Sequence, residues 1–457
     1  MRRADVVVIG GGLAGIETAL CVARGGGRVL LIERRARLGG LTWSFQRKGR
    51  WFDNGQHVFL RCCSSYLAFL DAIGAADQVQ LQPHLDIPVL APGGRMARIS
   101  RSSLPAPLHL VGSLARYSHL SVIERLRLGR AAVALKRLKV DDPSLDEGAF
   151  GSWLSAHGQN AAAIADLWNL ITLPTLNIDA DSASLQLAAM VFRTGLIDRN
   201  DAGDIGWSRV PLSVLHGDNA ATTLEKAGVK VLLSTQVTSV DKEANGRFAV
   251  GAGDLVEAGA VVIATPPEQA EGLLGDGVLG NVQALGQSPI LNVHLVFDRK
   301  VTDLEMFACV RSPVQFVFDR TATAHFGSEG PRADEQCLSI SVSGADAVIG
   351  QRPEELISTY REALSEVLPE VGRAGLVDAV VTRERSATFR ASPGSGSLRP
   401  RPGTAADRVF VAGAWCDTGW PATMEGAVRS GRAAGSAALA RLGTGGGSRD
   451  LLAEVAS

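Results

Sequence analysis

The most constraining feature of the chain lies in its first 33 residues. A β-branched run, Asp5 to Ile9, meets Gly10-x-Gly12-x-x-Gly15 without an intervening residue, and a stretch rich in Ala and Leu follows. A second apolar run, Arg28 to Ile32, ends at Glu33. The pattern predicts strand, glycine turn, helix and second strand. The first glycine permits the turn, the second lets backbone N–H groups approach a pyrophosphate, and Gly15 lets the helix pack on the strand. A carboxylate after the second strand suits the two hydroxyls of an unphosphorylated adenosine ribose.

Composition narrows the partners. The formal net charge is −1 and charged residues are 20% of 457. No basic field marks a nucleic-acid binder. Hydrophobic residues reach 46% and there are 51 glycines, which describes a globular chain with many close backbone approaches. Six cysteines without C-x-x-C spacing speak against a disulfide framework or a zinc site and for a reducing compartment. The uncharged stretch 277–297 contains Asn281, Gln283, Gln287, Pro289 and Asn292, so it reads as strands and loops rather than a membrane span. No metal site is expected.

Other segments complete the first motif. After Glu33 come Arg34, Arg35 and then Leu38-Gly39-Gly40-Leu41-Thr42; far downstream, the run Arg408 to Gly413 leads into Ala414 and then Thr423-Met424-Glu425-Gly426-Ala427. Between them, Gly259 to Thr265 is a buried strand ending at Pro266-Pro267, and Val237 lies in Ser234 to Val240. Together these resemble the FAD-binding segments of the amine oxidase and phytoene desaturase superfamily. The family usually has Arg at the place of Leu41 and often Asp at the place of Ala414. The resemblance implies an α/β fold with a Rossmann-type, glutathione reductase-like FAD-binding domain, a mixed-sheet substrate domain and a helical cap. It implies FAD held by Gly10, Gly12, Leu13, Ala14, Gly15, Glu33, Arg34, Arg35, Gly39, Gly40, Leu41, Thr42, Gly55, Gln56, His57, Val237, Thr265, Gly413, Ala414, Thr423, Met424 and Ala427.

The expected division is 1–82, 221–272 and 393–443 for the FAD domain, 83–106 and 273–392 for the substrate domain, 107–220 for the cap and 444–457 for a flexible tail. Strands are expected from about Ser288 to Phe318, Cys337 to Val342 and Leu376 to Thr382, with a helix over Pro353 to Val367. Residues 107–139 alternate apolar positions with seven Lys or Arg against Glu124, a net charge of +6. Such a stretch either lies on an anionic membrane surface or packs its apolar face on its own domain, and the sequence leaves both open.

Two further stretches, Asp53-Asn54-Gly55-Gln56-His57-Val58 and Leu167 to Asn177, resemble the hydroxysqualene dehydroxylase family, the squalene-associated FAD-dependent desaturases. The implied activity is removal of the hydroxyl of hydroxysqualene to give squalene for hopanoids or related triterpenoids. It carries with it a long-chain isoprenoid substrate, an electron donor the sequence does not identify, contact with the enzyme that makes hydroxysqualene, and a cytoplasmic location with peripheral contact at the inner membrane face. Hydroxide leaves poorly unless a proton arrives with it, so a general acid is required. Asp53 and His57 are the candidates. The alternatives are a phytoene or carotenoid desaturase, a flavin amine oxidase, or a non-catalytic FAD-containing lipid-binding protein. Thr423 stands where amine oxidases place a Tyr, and the chain has three tyrosines.

Overall fold

The computed structural model describes residues 2–327, 335–403 and 405–443. The expected tail 444–457 lies outside the described residues.

Strand β1 (Arg2–Ile9), helix α1 (Leu13–Arg24) and strand β2 (Val29–Ile32) form as the opening pattern predicts. β1 is central to a seven-stranded sheet. It pairs in parallel with β2 on one side and with strand Asp254–Ile263 on the other, which puts Val7 opposite Leu30 and Val261. Strand Lys230–Leu232 extends the sheet beyond β2. Strand Asp254–Ile263 forks at its far edge: its first half pairs antiparallel with Phe248–Ala252, and its last residues pair in parallel with Val409–Val411. Val6, Val7 and Val8 are fully buried, as expected where a parallel sheet is covered on both faces. Alternation assigns Val6, Val8, Val29 and Leu31 to one core with α1, and Val7, Ile9, Leu30 and Ile32 to another.

The final helix, Met424–Leu442, lies on α1. The contact is set by absent side chains: a Cβ on Gly431 would stand 2.2 Å from the Ala14 carbonyl oxygen, and one on Gly15 would stand 1.9 Å from that of Gly10. Thr18 donates its hydroxyl to the carbonyls of Ala14 (2.8 Å) and Gly431 (3.0 Å). Ala14 meets Gly431, Cys21 meets Gly435 and Gly25 meets Leu439, so the two helices run parallel and their N-termini share one end of the sheet.

A second seven-stranded sheet runs Leu376–Thr388, Ser288–Phe297, Gln336–Ser343, Phe316–Asp319, Met306–Cys309, Asp86–Ala91 and Arg95–Ser100. Helix Pro353–Val367 covers one face, packing Leu356, Tyr360 and Leu364 against Leu291, Val293 and Leu295. The helix has the predicted span. Strand Leu376–Thr388 continues six residues past its expected end.

The cap holds helix Val122–Arg137 and its neighbours, but it is not wholly helical. Strand Ile205–Ser208 pairs antiparallel with Val58–Leu60 and Val79–Leu81, which fastens the cap to the segment after Gly55. Asp204, at the start of that strand, is a buried hub. It accepts from Arg61 Nε (2.8 Å), Arg101 Nε (2.6 Å) and the Leu85 N–H (2.7 Å), joining three distant segments. Burial pushes its carboxyl up in pKa, but the Arg101 and Arg61 hydrogen bonds outweigh this and hold it below the ordinary aspartate value. Its contribution to stability is therefore complete above the unfolded aspartate value of about 4 and is lost as pH falls through the lower folded value. Asp204→Ala is expected to cost about 3 kcal/mol, because two guanidinium groups lose their buried partner. Denaturant unfolding followed by circular dichroism measures this; an unchanged midpoint would remove Asp204 as a structural tie.

Candidate active site

The glycine turn gives the site its floor. Gly10 takes φ +109°, and Gly12 caps α1 in an extended conformation without any side chain covering the first N–H groups. No acidic residue occupies the first turn of α1, so its positive end is open to an anion. The second glycine turn docks on the first: Gly39 donates its N–H to the Gly11 carbonyl (2.9 Å), and Thr42 Oγ1 donates to the Gly39 carbonyl (2.8 Å). From the parallel helix, Thr423 caps by accepting the Gly426 N–H at 3.1 Å, which leaves Met424 and Ala427 half-buried at the same end of the sheet. Gly413 and Ala414 leave strand Val409–Val411 there, with Gly413 N–H held by Ser430 Oγ at 2.9 Å. Two helix N-termini thus converge where a pyrophosphate is expected.

Glu33 stands at the end of β2. Its Oε2 accepts the Gly11 N–H (2.6 Å) and its Oε1 the Arg35 N–H (2.8 Å). Thr235 donates its N–H to the Glu33 carbonyl (3.0 Å) and Ser234 to that of Arg35 (2.9 Å), drawing the half-buried Val237 toward the same end. Arg34 and Arg35 are exposed, and Leu41 is 41% exposed. Half-buried Thr265 accepts Trp415 Nε1 at its carbonyl (3.0 Å), which ties the turn after strand Asp254–Ile263 to the C-terminal segment. The cradle fits FAD: a carboxylate for the ribose, backbone N–H groups for the phosphates and close glycine approaches between them.

The segment after strand Arg50–Asp53 crosses to the substrate sheet. Gln56 Nε2 donates to Ser339 Oγ (2.9 Å), Asn292 Nδ2 to the Asn54 carbonyl (3.3 Å) and Thr382 Oγ1 to that same carbonyl (2.8 Å). A Cβ on Gly55 would press on Asn292 Nδ2 at 3.2 Å.

Asp53 requires a correction. It was expected as a proton donor, but both of its oxygens are engaged in the interior. Oδ1 accepts from Ser44 Oγ (2.6 Å) and the Leu212 N–H (3.1 Å), and Oδ2 accepts from Arg320 Nη2 (2.9 Å). Asp53 and Arg320 are both buried. A side chain so held anchors the segment, with both oxygens committed to donors of the interior.

His57 is half-buried beside the Leu41 carbonyl. Burial lowers its pKa, and the charges of Asp53 and Glu384 pull it back in part. His216 and His294 are driven further, to about 3 and about 4, by burial first. His216 Nε2 pairs with the Tyr66 hydroxyl at 2.7 Å, so both of these histidines belong to the neutral interior at physiological pH. Glu425, read as structural, accepts from the Ser65 and Tyr66 N–H groups (3.2 and 2.7 Å) and from Arg429. Trp168 donates to Gln159 Oε1 and is buried.

Sequence reasoning missed Arg320, Asn292, Thr382 and Glu384. All four come from the substrate half of the chain, where no local motif distinguishes an inward polar side chain from a solvated one.

A family model described as flavin containing amine oxidoreductase matches residues 13–439. Hydroxysqualene dehydroxylase of Sinorhizobium fredii is 27% identical over 96% of this chain and 99% of its own. The 15-cis-phytoene desaturase of Synechococcus elongatus is 24% identical, covering 95% and 96%. Among solved structures, wild-type putrescine oxidase bound to putrescine aligns with TM-score 0.71 at 20% identity, over 96% of this chain and 99% of that one. Cyclohexylamine oxidase from Brevibacterium oxydans aligns with TM-score 0.68 at 18%, over 96% and 99%.

Glu33→Gln keeps the shape of the carboxylate and removes its charge. It is expected to weaken FAD binding at least about tenfold, because the new amide nitrogen meets either the Gly11 or the Arg35 N–H where a carboxylate oxygen accepts. Titration of flavin fluorescence with apoprotein measures this, and an unchanged Kd would put the ribose elsewhere.

Proposed function

Because the chain belongs to the flavin-containing amine oxidoreductase family and is an FAD-dependent oxidoreductase, we propose that its reaction is the reductive removal of the hydroxyl of hydroxysqualene to give squalene. The observation that carries this reading is the end-to-end likeness to hydroxysqualene dehydroxylases, with Asn54-Gly55-Gln56-His57 placed between the cofactor cradle and the substrate sheet. The tyrosines disfavour an amine oxidase: Tyr66, Tyr117 and Tyr360 are all buried in the cores, where none can flank an amine. The phytoene desaturase reading keeps a footing in the likeness to the Synechococcus enzyme.

In this reaction a C–O bond breaks, a C–H bond forms and the hydroxyl leaves as water with one added proton. Bound reduced FAD supplies the hydride. The chain's part is to deliver the proton and exclude water, which would otherwise recapture an allylic cation. With Asp53 committed to Arg320, His57 is the group we assign to hold that proton. Activity is then expected to fall as pH rises through a value below the ordinary histidine pKa, since burial depresses His57. The segments 10–15, 39–42 and 413–427 hold the cofactor, and the substrate sheet with the cap shapes the isoprenoid pocket.

The same reading includes peripheral attachment to the inner face of the cytoplasmic membrane. Helix Val122–Arg137 has two apolar sides. Leu128, Ala131 and Leu135 are buried in the core, while Val122, Ile123 and Leu126 are 63%, 62% and 76% exposed. Leu108 and Val111 are exposed just before it, and Arg116, Arg125, Arg127 and Arg130 lie in the same stretch. Exposed aliphatics among cations suit an anionic bilayer surface. Among the described residues no helix is long and apolar enough to cross a membrane.

Two measurements test these proposals. Anaerobically reduced protein given hydroxysqualene is expected to form one squalene per flavin as the flavin reoxidises; desaturation of phytoene by the oxidised protein, without that turnover, would transfer the assignment to the desaturase reading. The protein is expected to float with phosphatidylglycerol vesicles and less with phosphatidylcholine vesicles, and Leu126→Ser with Ile123→Ser to reduce flotation at least tenfold. Equal behaviour of wild type and variant would sink the membrane surface.

A further inference from the structure

The loop from strand Val409–Val411 to helix Met424–Leu442 carries Gly413 and Ala414 at one end and Thr423 at the other, so both ends belong to the cofactor cradle. Between them the chain forms neither strand nor helix. Three of its carbonyls share a single donor instead. Arg399 gives its Nε–H to the Trp415 carbonyl (3.3 Å) and its Nη2 to the carbonyls of Cys416 and Trp420, the last at 2.7 Å. Among the described residues no other donor reaches any of the three. The Asp417 N–H adds a bond in return, to the Pro400 carbonyl at 2.8 Å.

Arg399 is 6% exposed, and among the described residues no carboxylate stands within ion-pair distance of it. An arginine keeps its charge even in the interior, where a cation without a partner is costly. The three carbonyl dipoles offset that cost, together with the ring of Phe389, over which the guanidinium lies at 4.8 Å. Phe389 directly follows strand Leu376–Thr388, so one side chain touches the end of the substrate sheet and the cofactor loop together. The backbone that carries Arg399 is fixed from the cap. Asp146 accepts the Gly394 N–H at its carbonyl (2.7 Å), the Gly396 N–H at Oδ2 (2.7 Å) and Ser184 Oγ at Oδ1 (2.5 Å). Ser184 in turn donates its N–H to the Ala391 carbonyl (2.8 Å). Residues 389–400 are thus a belt held by the cap, with its far end closed on the loop by Arg399.

We propose that Arg399 is a positioning residue for FAD: a buried guanidinium that gathers the carbonyls of Trp415, Cys416 and Trp420 and so sets the loop whose ends, at Ala414 and Thr423, meet the cofactor. Buried carbonyls must find donors. Without the guanidinium these three have none, and the loop must move to reach water, carrying both ends with it. The planar fork matters as well as the charge, because an ammonium is a single point that cannot face the carbonyls in the same way. The proposal rests on FAD as the cofactor, not on the identity of the substrate.

The test uses the full-length protein, stripped of flavin and titrated with FAD. Arg399→Met keeps much of the volume and removes the donors; it is expected to raise the FAD Kd about tenfold or more, the effect of leaving buried carbonyls unpaired. Arg399→Lys keeps the charge and is expected to fold, with a Kd raised at least about threefold. Asp204→Ala is the control: it loosens the cap without touching any of these contacts, and its Kd is expected to stay within about twofold of wild type. The visible circular dichroism of the bound flavin is expected to change in both Arg399 variants and not in Asp204→Ala. A wild-type Kd and flavin spectrum in Arg399→Lys, or in folded Arg399→Met, overturn the proposal. So does an Asp204→Ala protein weakened as much as the Arg399 variants, since Arg399 would then act through general stability alone.

Discussion

The parallel contact between α1 and the final helix is the constraint on which the rest of the molecule depends. Two helices can lie this close only where one backbone meets another without a Cβ between them, at Gly431 over Ala14, and α1 in turn needs Gly15 to reach the turn at Gly10. Since the helices run parallel, their positive ends point to the same place. The cofactor cradle is a consequence of helix packing as much as of the glycine turn.

From that cradle the chain reaches the substrate half through residues 53–57, and the interactions along this bridge divide the labour. Asp53 with Arg320 is a buried ion pair completed by Ser44 and the Leu212 N–H, which fixes where the bridge begins. Asn54, Gly55 and Gln56 then rest on Asn292, Thr382 and Ser339 of three adjacent strands. His57 emerges at the end of this rigid segment. A buried pair of this kind confers little net stability over apolar packing but defines one geometry.

Local rules made much of the fold legible. Strand, turn and helix at residues 2–24, the forked strand's apolar core and the helix Pro353–Val367 all follow from period and punctuation. The cap was legible as helices but not as the host of strand Ile205–Ser208, because four residues containing Gly206 carry no alternation to detect. The glycine-rich cradle could be read because its chemistry is backbone chemistry and leaves a mark in sequence. The carboxylates could not. Asp53 looks the same in sequence whether it faces Arg320 or a substrate, and Glu384 sits between Arg383 and Arg385 in a run that reads as a solvated edge. Only the crossing of strands separated by some 330 residues puts it next to Asn54.

The parallel helix contact also bears on how such a chain is made. Part of the cradle is encoded before residue 43 and the partner helix after residue 412, with Val237 and Thr265 and most of two sheets between. At ribosomal speeds of about 5 to 20 residues per second, the first part waits roughly 20 to 75 seconds for its partner. During that time β1 lacks the neighbour supplied by Asp254–Ile263 for more than half the interval, and α1 shows water the apolar flank that Val428 and Ala434 later cover. The nascent N-terminal unit is thus a protein with an open sheet edge and an unfinished binding site. A full cofactor cradle therefore exists only once helix Met424–Leu442 has been made and laid on α1.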